Sequence, residues 1–443
     1  MSQQQLQKEL LPRHVQMMAL GGMIGTGIFK GSADTIALAG PGIVISYLLG
    51  GVLLFFVMGA LAEMASVYPQ MDIRALLSKA LGKKAAFVIG WMYWIQWILV
   101  MSVEVVAAGL FLQFWFGGVP LWVLSLAVAL LLIAINVIGV KYFGEMEFWL
   151  AGIKIVALSL FIVLGGILLF GSSGQAPWTA HYTSHGGFFP MGWSGIFASL
   201  LVVMFSYGGA ELIGVTTAET KNAERVMPKI VRGVIWRVVL FYVLPLFIIT
   251  GLIPWNQIHA QSSPFVQVLT DFGLGHAAHV MNFVMLTAVL SAANSGMYVT
   301  SRMLFSLAKE GQASRVFTRL NRQGVPIAGL LVSAASLFIG VGTAYLTPSN
   351  VFQYLMGIPG FVTLVMWISI CVAQVKLRPS YPGTPLYRTS LFPYAPIAVA
   401  LALATILAVI ISDRANQIST LICLSVLALL LIFSARVKGA AKE

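Results

Sequence analysis

The chain has 443 residues, 59% of them hydrophobic and only 9% charged, with a formal net charge of +12. So few charges for so much apolar surface exclude a water-soluble enzyme or binding module of this length and point to an all-α protein threaded repeatedly through a bilayer. The basic excess would suit nucleic acid, but its distribution along the chain excludes that partner.

A helix needs about 20 apolar residues to cross the hydrocarbon. Twelve such stretches are expected, at 15–38, 42–66, 86–114, 120–140, 147–171, 193–215, 234–253, 278–307, 326–346, 351–375, 391–412 and 417–435. The polar N-terminus and the lack of a small-residue cleavage site argue against a removable signal peptide. The intervening loops, about 20 residues at most, are too short for a separate domain. Basic residues fall in alternate connections: Lys8 and Arg13; Arg74, Lys79, Lys83 and Lys84; Lys141; Lys221, Arg225, Lys229, Arg232 and Arg237; Lys309, Arg315, Arg319 and Arg322; Lys376, Arg378 and Arg388; then Arg436, Lys438 and Lys442. Arg414 is the exception. This is the positive-inside pattern, and it places both termini in the cytoplasm.

The first stretch contains Gly21-Gly22-Met23-Ile24-Gly25-Thr26-Gly27. Glycines around a threonine weaken a helix at membrane depth, where a break is tolerated only if it is buried or lines a cavity. The freed N–H groups would then form an anion site. Gly21 and Gly25 also form a small-xxx-small pair, so close helix packing is the other reading, and this segment alone leaves both open. The sixth stretch holds a second cluster, Phe205-Ser206-Tyr207-Gly208-Gly209-Ala210-Glu211. Interrupted helices at matching places in two halves mark a transporter site and imply inverted repeats of five spans each, 15–171 and 193–375, followed by two extra helices at 391–435.

Ionisable residues inside spans are costly and need a reason. Glu63, at the end of the second span, reads as structural, paired with a loop arginine. Glu104, mid-span three, is a candidate proton carrier, or else a carboxyl bonded to a neighbouring helix. Lys154, in span five, is a second candidate for cycling between charged and neutral forms, or else snorkels to the cytoplasmic surface. Glu211 either senses protons or anchors the sixth helix. His276 and His279 read as a loop pair without function, and no metal site is expected. No phosphate loop or nucleophile–base set appears, so neither ATP-driven transport nor an enzyme is supported, and no cofactor is expected.

The motifs GGMIGTGIF at 21–29, LAEMA at 61–65, VEVVAAGL at 103–110, FGEMEFWLAGIKIVAL at 143–158, FSYGGAELIGVTTAE at 205–219, WRVVLFYV at 236–243, NSGMYVTSRMLFSLAKEG at 294–311 and RQGVPIAGLLVS at 322–333 span nearly the whole chain. In these the chain resembles the amino-acid transporter family of the amino acid–polyamine–organocation superfamily, which includes bacterial lysine, aromatic amino acid, proline and γ-aminobutyrate permeases. The resemblance implies the fold named for the bacterial leucine transporter. It implies that a substrate carboxylate meets the amides of Gly25, Thr26 and Gly27. The α-ammonium would meet carbonyls at Met23 and in the second break, Phe205, Ser206, Tyr207, Gly208 and Gly209, with Phe205 as an aromatic gate. Lys154 falls where proton-coupled relatives carry a lysine in place of sodium, and Glu104 matches a glutamate of helix three. Two places depart from the family. Gln70-Met71-Asp72-Ile73-Arg74 replaces a usual serine-glycine-serine-phenylalanine stretch, and Lys30 ends the first motif, where it is expected to face the outer vestibule.

The expected function is proton-coupled uptake of an amino acid, neutral and fairly bulky, across the bacterial cytoplasmic membrane by alternating access. Gly208 and Gly296 would leave room for its side chain. The expected partners are the amino acid, the proton and the bilayer, with the chain a monomer or homodimer. Amino acid exchange, or a permease-like sensor, are the alternatives; a sensor would need a signalling tail, and neither terminus is long.

Overall fold

The computed structural model describes residues 10–139, 143–171, 178–259, 262–321, 324–346, 351–412 and 417–435. The charges counted at Lys8, Lys141, Arg322, Arg414, Arg436, Lys438 and Lys442 lie outside them. The helices are α1 (Pro12–Gly21), α2 (Thr26–Phe29), α3 (Gly31–Ala39), α4 (Ile43–Val67), α5 (Ile73–Leu81), α6 (Lys83–Gln113), α7 (Leu121–Gly139), α8 (Phe143–Gly171), α9 (Ala180–Thr183), α10 (Gly192–Tyr207), α11 (Leu212–Thr216), α12 (Ala223–Arg232), α13 (Val234–Val238), α14 (Leu244–Leu252), α15 (Pro264–Asp271), α16 (Gly275–Lys309), α17 (Ile327–Leu346), α18 (Val351–Leu377), α19 (Tyr394–Ser412) and α20 (Gln417–Ser434). No strand occurs among the described residues, only an isolated bridge between Leu10 and Thr220.

Ten helical stretches among the described residues are long and apolar enough to cross a membrane, so the protein is a multi-pass membrane protein. Two expected spans are not among the ten. Residues 15–38 do not form one helix: α1 stops at Gly21, and the chain resumes as α2 and α3. Within α7 the apolar segment, Leu121–Ala134, is shorter than a span. Expected boundaries elsewhere fall within a few residues of the helices. His276 and His279 lie in the first turns of α16, not in the expected loop, and His279 Nδ1 accepts a bond from Trp115 Nε1 at 2.9 Å. The apolar pattern of α16 hides this start, because its first turns are polar.

The long helices α6 and α16 pack against each other at the centre, and α6 also carries α7, α17 and α18. Beside them α1 lies on α8, and α10 lies on α3 and α4. The outer helices α19 and α20 turn apolar side chains such as Leu401, Leu421 and Ile432 outward. That arrangement suits lipid contact and would be costly in water.

Glu63 is fully buried and meets its expected loop arginine, with Oε1 3.3 Å from Arg378 Nε. Its Oε2 accepts from Gln374 Nε2 at 2.9 Å and from Thr389 N at 2.7 Å. Removing this carboxylate leaves the buried Thr389 N without its acceptor, and an unmet buried donor costs about 1–3 kcal/mol, while Arg378, partly exposed, loses its counter-charge. Glu63→Ala is therefore expected to lower the unfolding temperature in detergent sharply, and Glu63→Gln less so. The departure at residues 70–74 also has a structural use. Asp72 Oδ1 caps α5 through Ala75 N at 2.7 Å. Arg74 bonds Ser306 Oγ and Glu310 Oε1, each at 2.7 Å, and so ties α5 to the end of α16. Lys30 is buried rather than open to a vestibule, and its ammonium lies 3.7 Å from Asp34, one turn further on.

Candidate functional site

The two glycine clusters meet. Helix α1 ends at Gly21 and α2 begins at Thr26; α10 ends at Tyr207 and α11 begins at Leu212. Gly209 adopts φ +95°, which favours glycine, and a Cβ there would lie 2.8 Å from Gly22 O. The two non-helical segments thus touch backbone to backbone. Between them is a cavity of about 30 Å³. Gly22, Met23, Gly25 and Gly27 line one side; Phe205, Ser206, Gly208 and Gly209 line the other. Helix α6 adds Gln96, Trp97, Val100 and Glu104, α16 adds Ala292 and α18 adds Thr363.

That space admits water-sized occupants, far below the roughly 300–1,000 Å³ of usual ligand pockets. A bulky side chain does not fit unless Trp97 or Phe205 moves. Gly296 does not enlarge it, since a Cβ there would meet Met101 and Trp97. The walls carry unmet polar atoms: Trp97 Nε1, Gln96 Oε1 and Glu104 Oε2, with Thr26 Oγ1 buried nearby. Each unpaired buried group costs about 1–3 kcal/mol, so a polar, zwitterionic occupant that pairs them is favoured. Gln96 Nε2 itself donates to Thr363 Oγ1 at 2.8 Å, joining α6 to α18.

The expected carboxylate contacts divide into two kinds. Gly25 faces the cavity, and a Cβ there would lie 2.9 Å from Glu104 Oε1. Gly27 is also a packing contact, since a Cβ there would lie 2.5 Å from Ser206 Cα. Thr26 lies outside the cavity lining, but its N–H points to Glu104, with Oε1 accepting at 3.4 Å. A carboxyl group of the protein's own thus sits on the amide expected to hold the substrate's carboxylate. The carbonyl of Met23 accepts from Tyr242 Oη at 2.6 Å. Phe205 lines the cavity and packs on Val103 and Val106, a place from which an aromatic ring can cover an occupant. Ser206 lines the cavity, and its hydroxyl donates to Val202 O at 2.9 Å. Tyr207 turns away: its hydroxyl donates to Tyr47 O at 2.7 Å, and its ring packs on Tyr47 and Tyr242. The side chain of Tyr207 is thus taken up by packing, and the expected contact through its carbonyl is a separate matter. A helix ending at this residue leaves its side chain on the packed face.

Lys154 is fully buried and does not snorkel. Its Nζ donates to Gly21 O and to Ser291 Oγ, both at 2.9 Å, tying α8 to the last carbonyl of α1 and to α16. Ser291 in turn donates to Glu147 Oε2 at 2.7 Å. Glu211 lies outside the cavity and accepts three bonds: Gly209 N at 3.2 Å, Tyr93 Oη at 3.3 Å and Trp367 Nε1 at 3.2 Å. Of its two readings, anchoring the sixth-span interruption is the one these bonds support. Sequence reasoning missed Gln96, Trp97, Ala292, Thr363, Tyr242, Ser291 and Glu147. Only Glu147 had a local signal, since seven residues separate it from Lys154, two helical turns on one face.

A family model described as Amino acid permease matches residues 14–439. The chain is similar to three proteins of Bacillus subtilis (strain 168). The uncharacterized amino acid permease YvbW is 44% identical over 408 residues, covering 91% of each chain. The gamma-aminobutyric acid permease is 39% identical, covering 92% of this chain and 88% of that one. The amino-acid permease RocC is 38% identical, covering 89% and 86%. Among solved structures, the chain is similar to the manganese transporter of Eremococcus coleocola in complex with an aromatic bis-isothiourea substituted compound. That likeness has a TM-score of 0.60 at 14% identity, covers 96% of this chain and 94% of that one, and speaks for the fold alone.

Proposed function

The chain belongs to the amino acid permease family, and from that premise we propose that it takes up a neutral amino acid together with protons by alternating access. Its relatives are transporters, not enzymes, and amino acid transport is the activity the family shares. The proposal adds the driving ion, the substrate's charge and the architecture. In that architecture twelve spans form two inverted repeats, 15–171 and 193–375, with helices at 391–435 added, and the helices around Gly22–Gly25 and Gly208–Glu211 are the broken pair. The backbone contact of Gly209 with Gly22 supports this reading. Both termini lie on the cytoplasmic side of a bacterial inner membrane, a reading that rests on the basic loops.

The observation that carries proton coupling is Lys154, a buried lysine bound to Gly21 O at the first interruption. An ammonium there repels sodium and makes the sodium site of sodium-coupled cousins redundant. Glu104 supplies the second half. While ionised, its carboxylate competes with a substrate carboxylate for Thr26 N, and the two anions repel. Protonation removes that competition, so substrate and proton enter together. Ligands shift a transporter between states only by binding one state better. Here the protonated, substrate-bound state is the one in which no like charges face each other across the interruption. Glu104 is the one acid in the cavity wall among the described residues, so a cationic side chain finds little to pair with. The relative named for γ-aminobutyric acid bears the name of a substrate that is likewise net neutral.

The test is uptake into reconstituted vesicles, with all twenty amino acids as competitors. An imposed pH gradient is expected to drive accumulation of a neutral amino acid, and a sodium gradient to drive none. Sodium-dependent accumulation would refute the coupling. Uptake only into vesicles preloaded with amino acid would mean exchange.

A further inference from the structure

Glu147 has no role in the reading above, yet its burial is complete. It lies on α8 with Lys154, seven residues nearer the cytoplasmic end, about 10 Å along the axis. Its Oε2 accepts from Ser291 Oγ at 2.7 Å, and Ser291 accepts from Lys154 Nζ at 2.9 Å. Its Oε1 has no hydrogen-bond partner. Ammonium, hydroxyl and carboxylate therefore form a continuous hydrogen-bonded line through one side chain of α16. We propose that Glu147 receives the coupling proton from Lys154 through the hydroxyl of Ser291 and is the first station on the proton's way to the cytoplasm. The proposal rests on the lysine-coupled reading.

The transfer balances without a further reactant. The Lys154 Nζ–H bond breaks as a new Oγ–H bond forms on Ser291. The original Oγ–H bond of Ser291 breaks as Oε2–H forms on Glu147. The hydroxyl is regenerated, the ammonium becomes an amine, the carboxylate becomes an acid, and the summed charge of the pair stays zero. The consequence falls on the first interruption. Charge-assisted bonds are roughly twice as strong as neutral ones, so a neutral Lys154 loosens its hold on Gly21 O. Proton arrival at Glu147 and release of α1 are then one event.

The surroundings suit a relay better than a fixed counter-ion. Asn294 and Ser295 of α16 also face Glu147 within reach of a side-chain hydrogen bond. A second arrangement of bonds around the carboxyl is therefore available. The charged group that acts on Glu147 is Lys154 on α8 itself, with Glu104 of α6 acting on Lys154 in turn; two residues before Glu147 on the same helix, Glu145 pairs with Arg13 and His14 of α1, and α14 contributes no charge. His14 packs on the backbone of Gly144, and its Nε2 lies 2.9 Å from Glu145 Oε1. The Glu145 side chain is 43% exposed, so α8 meets water two residues from Glu147.

The experiment uses the full chain in vesicles and reads three quantities for each variant: accumulation under a pH gradient, lumenal acidification per substrate imported, and exchange of labelled for unlabelled substrate. Ser291→Ala breaks the line and leaves both charged residues. It is expected to lose accumulation and acidification while keeping exchange, which needs no net proton movement. Ser291→Thr, which restores a hydroxyl, should recover both. Glu147→Gln should behave as Ser291→Ala. If Ser291→Ala and Glu147→Gln accumulate and acidify like the parent while Lys154→Ala does not, the relay is wrong and the lysine reading stands. If Lys154→Ala also accumulates normally, that reading fails first. If exchange falls together with accumulation in Ser291→Ala, the serine is structural and the relay is refuted.

Discussion

Lys154→Ala is expected to abolish accumulation of substrate under an imposed pH gradient while leaving exchange measurable. The lysine holds the last carbonyl of α1 and a serine of α16 with one ammonium. Losing it removes both bonds, including the charge-assisted one to Gly21 O. Gross unfolding is not expected, because a buried ion is itself costly and its removal relieves that cost. Glu147 is left without its cation, but it lies beyond Ser291 and becomes neutral by taking up a proton. Exchange survives because substrate can still enter and leave the cavity between the interruptions. Normal accumulation by a correctly inserted Lys154→Ala protein would make the lysine structural.

The parts of this molecule that were legible in the sequence are those set by local composition. Apolar length marks most spans, because a bilayer imposes it. The clusters at 21–27 and 205–211 announce interruptions only as a pair, because either alone would also suit close helix packing. Glu63 announces a partner, because an unpaired acid would not stay buried, and Arg378 is that partner. What the sequence hides is what stands opposite. Gly25 and Gly27 look equivalent in the chain, yet one faces Glu104 and the other Ser206. Gln96, Trp97 and Thr363 line the cavity only because α6 and α18 pack together, a pairing no periodicity encodes. Tyr242 reaches Met23 O from a single π-helical turn, Val239–Val243, and such a turn leaves no mark on the apolar pattern. Tyr207 reads as a site residue by adjacency alone, and its last turn of helix carries the ring away.

That difference between two glycines makes the decisive test of the carboxylate site. Gly25→Ala places its methyl against the end of the flexible Glu104 side chain, which can yield. The fold should persist, with an unfolding temperature near the parent's. The methyl, however, occupies the approach to the amide that an anion needs. Loss of charge-assisted bonds worth about 1.5–3 kcal/mol lowers affinity by about ten- to a hundredfold. Gly25→Val, with a branched side chain, is expected to abolish binding. Gly27→Ala meets a backbone carbon instead, and Ser206 Cα cannot yield without separating α2 from α10. Gly27→Ala should therefore lose stability along with binding. Direct binding of the best competitor, measured beside thermal unfolding in detergent, separates the two outcomes. Unchanged affinity in a folded Gly25→Val protein would remove residues 25–27 from the substrate site. A Gly27→Ala protein as stable as the parent would show that α2 and α10 are not held in close contact there.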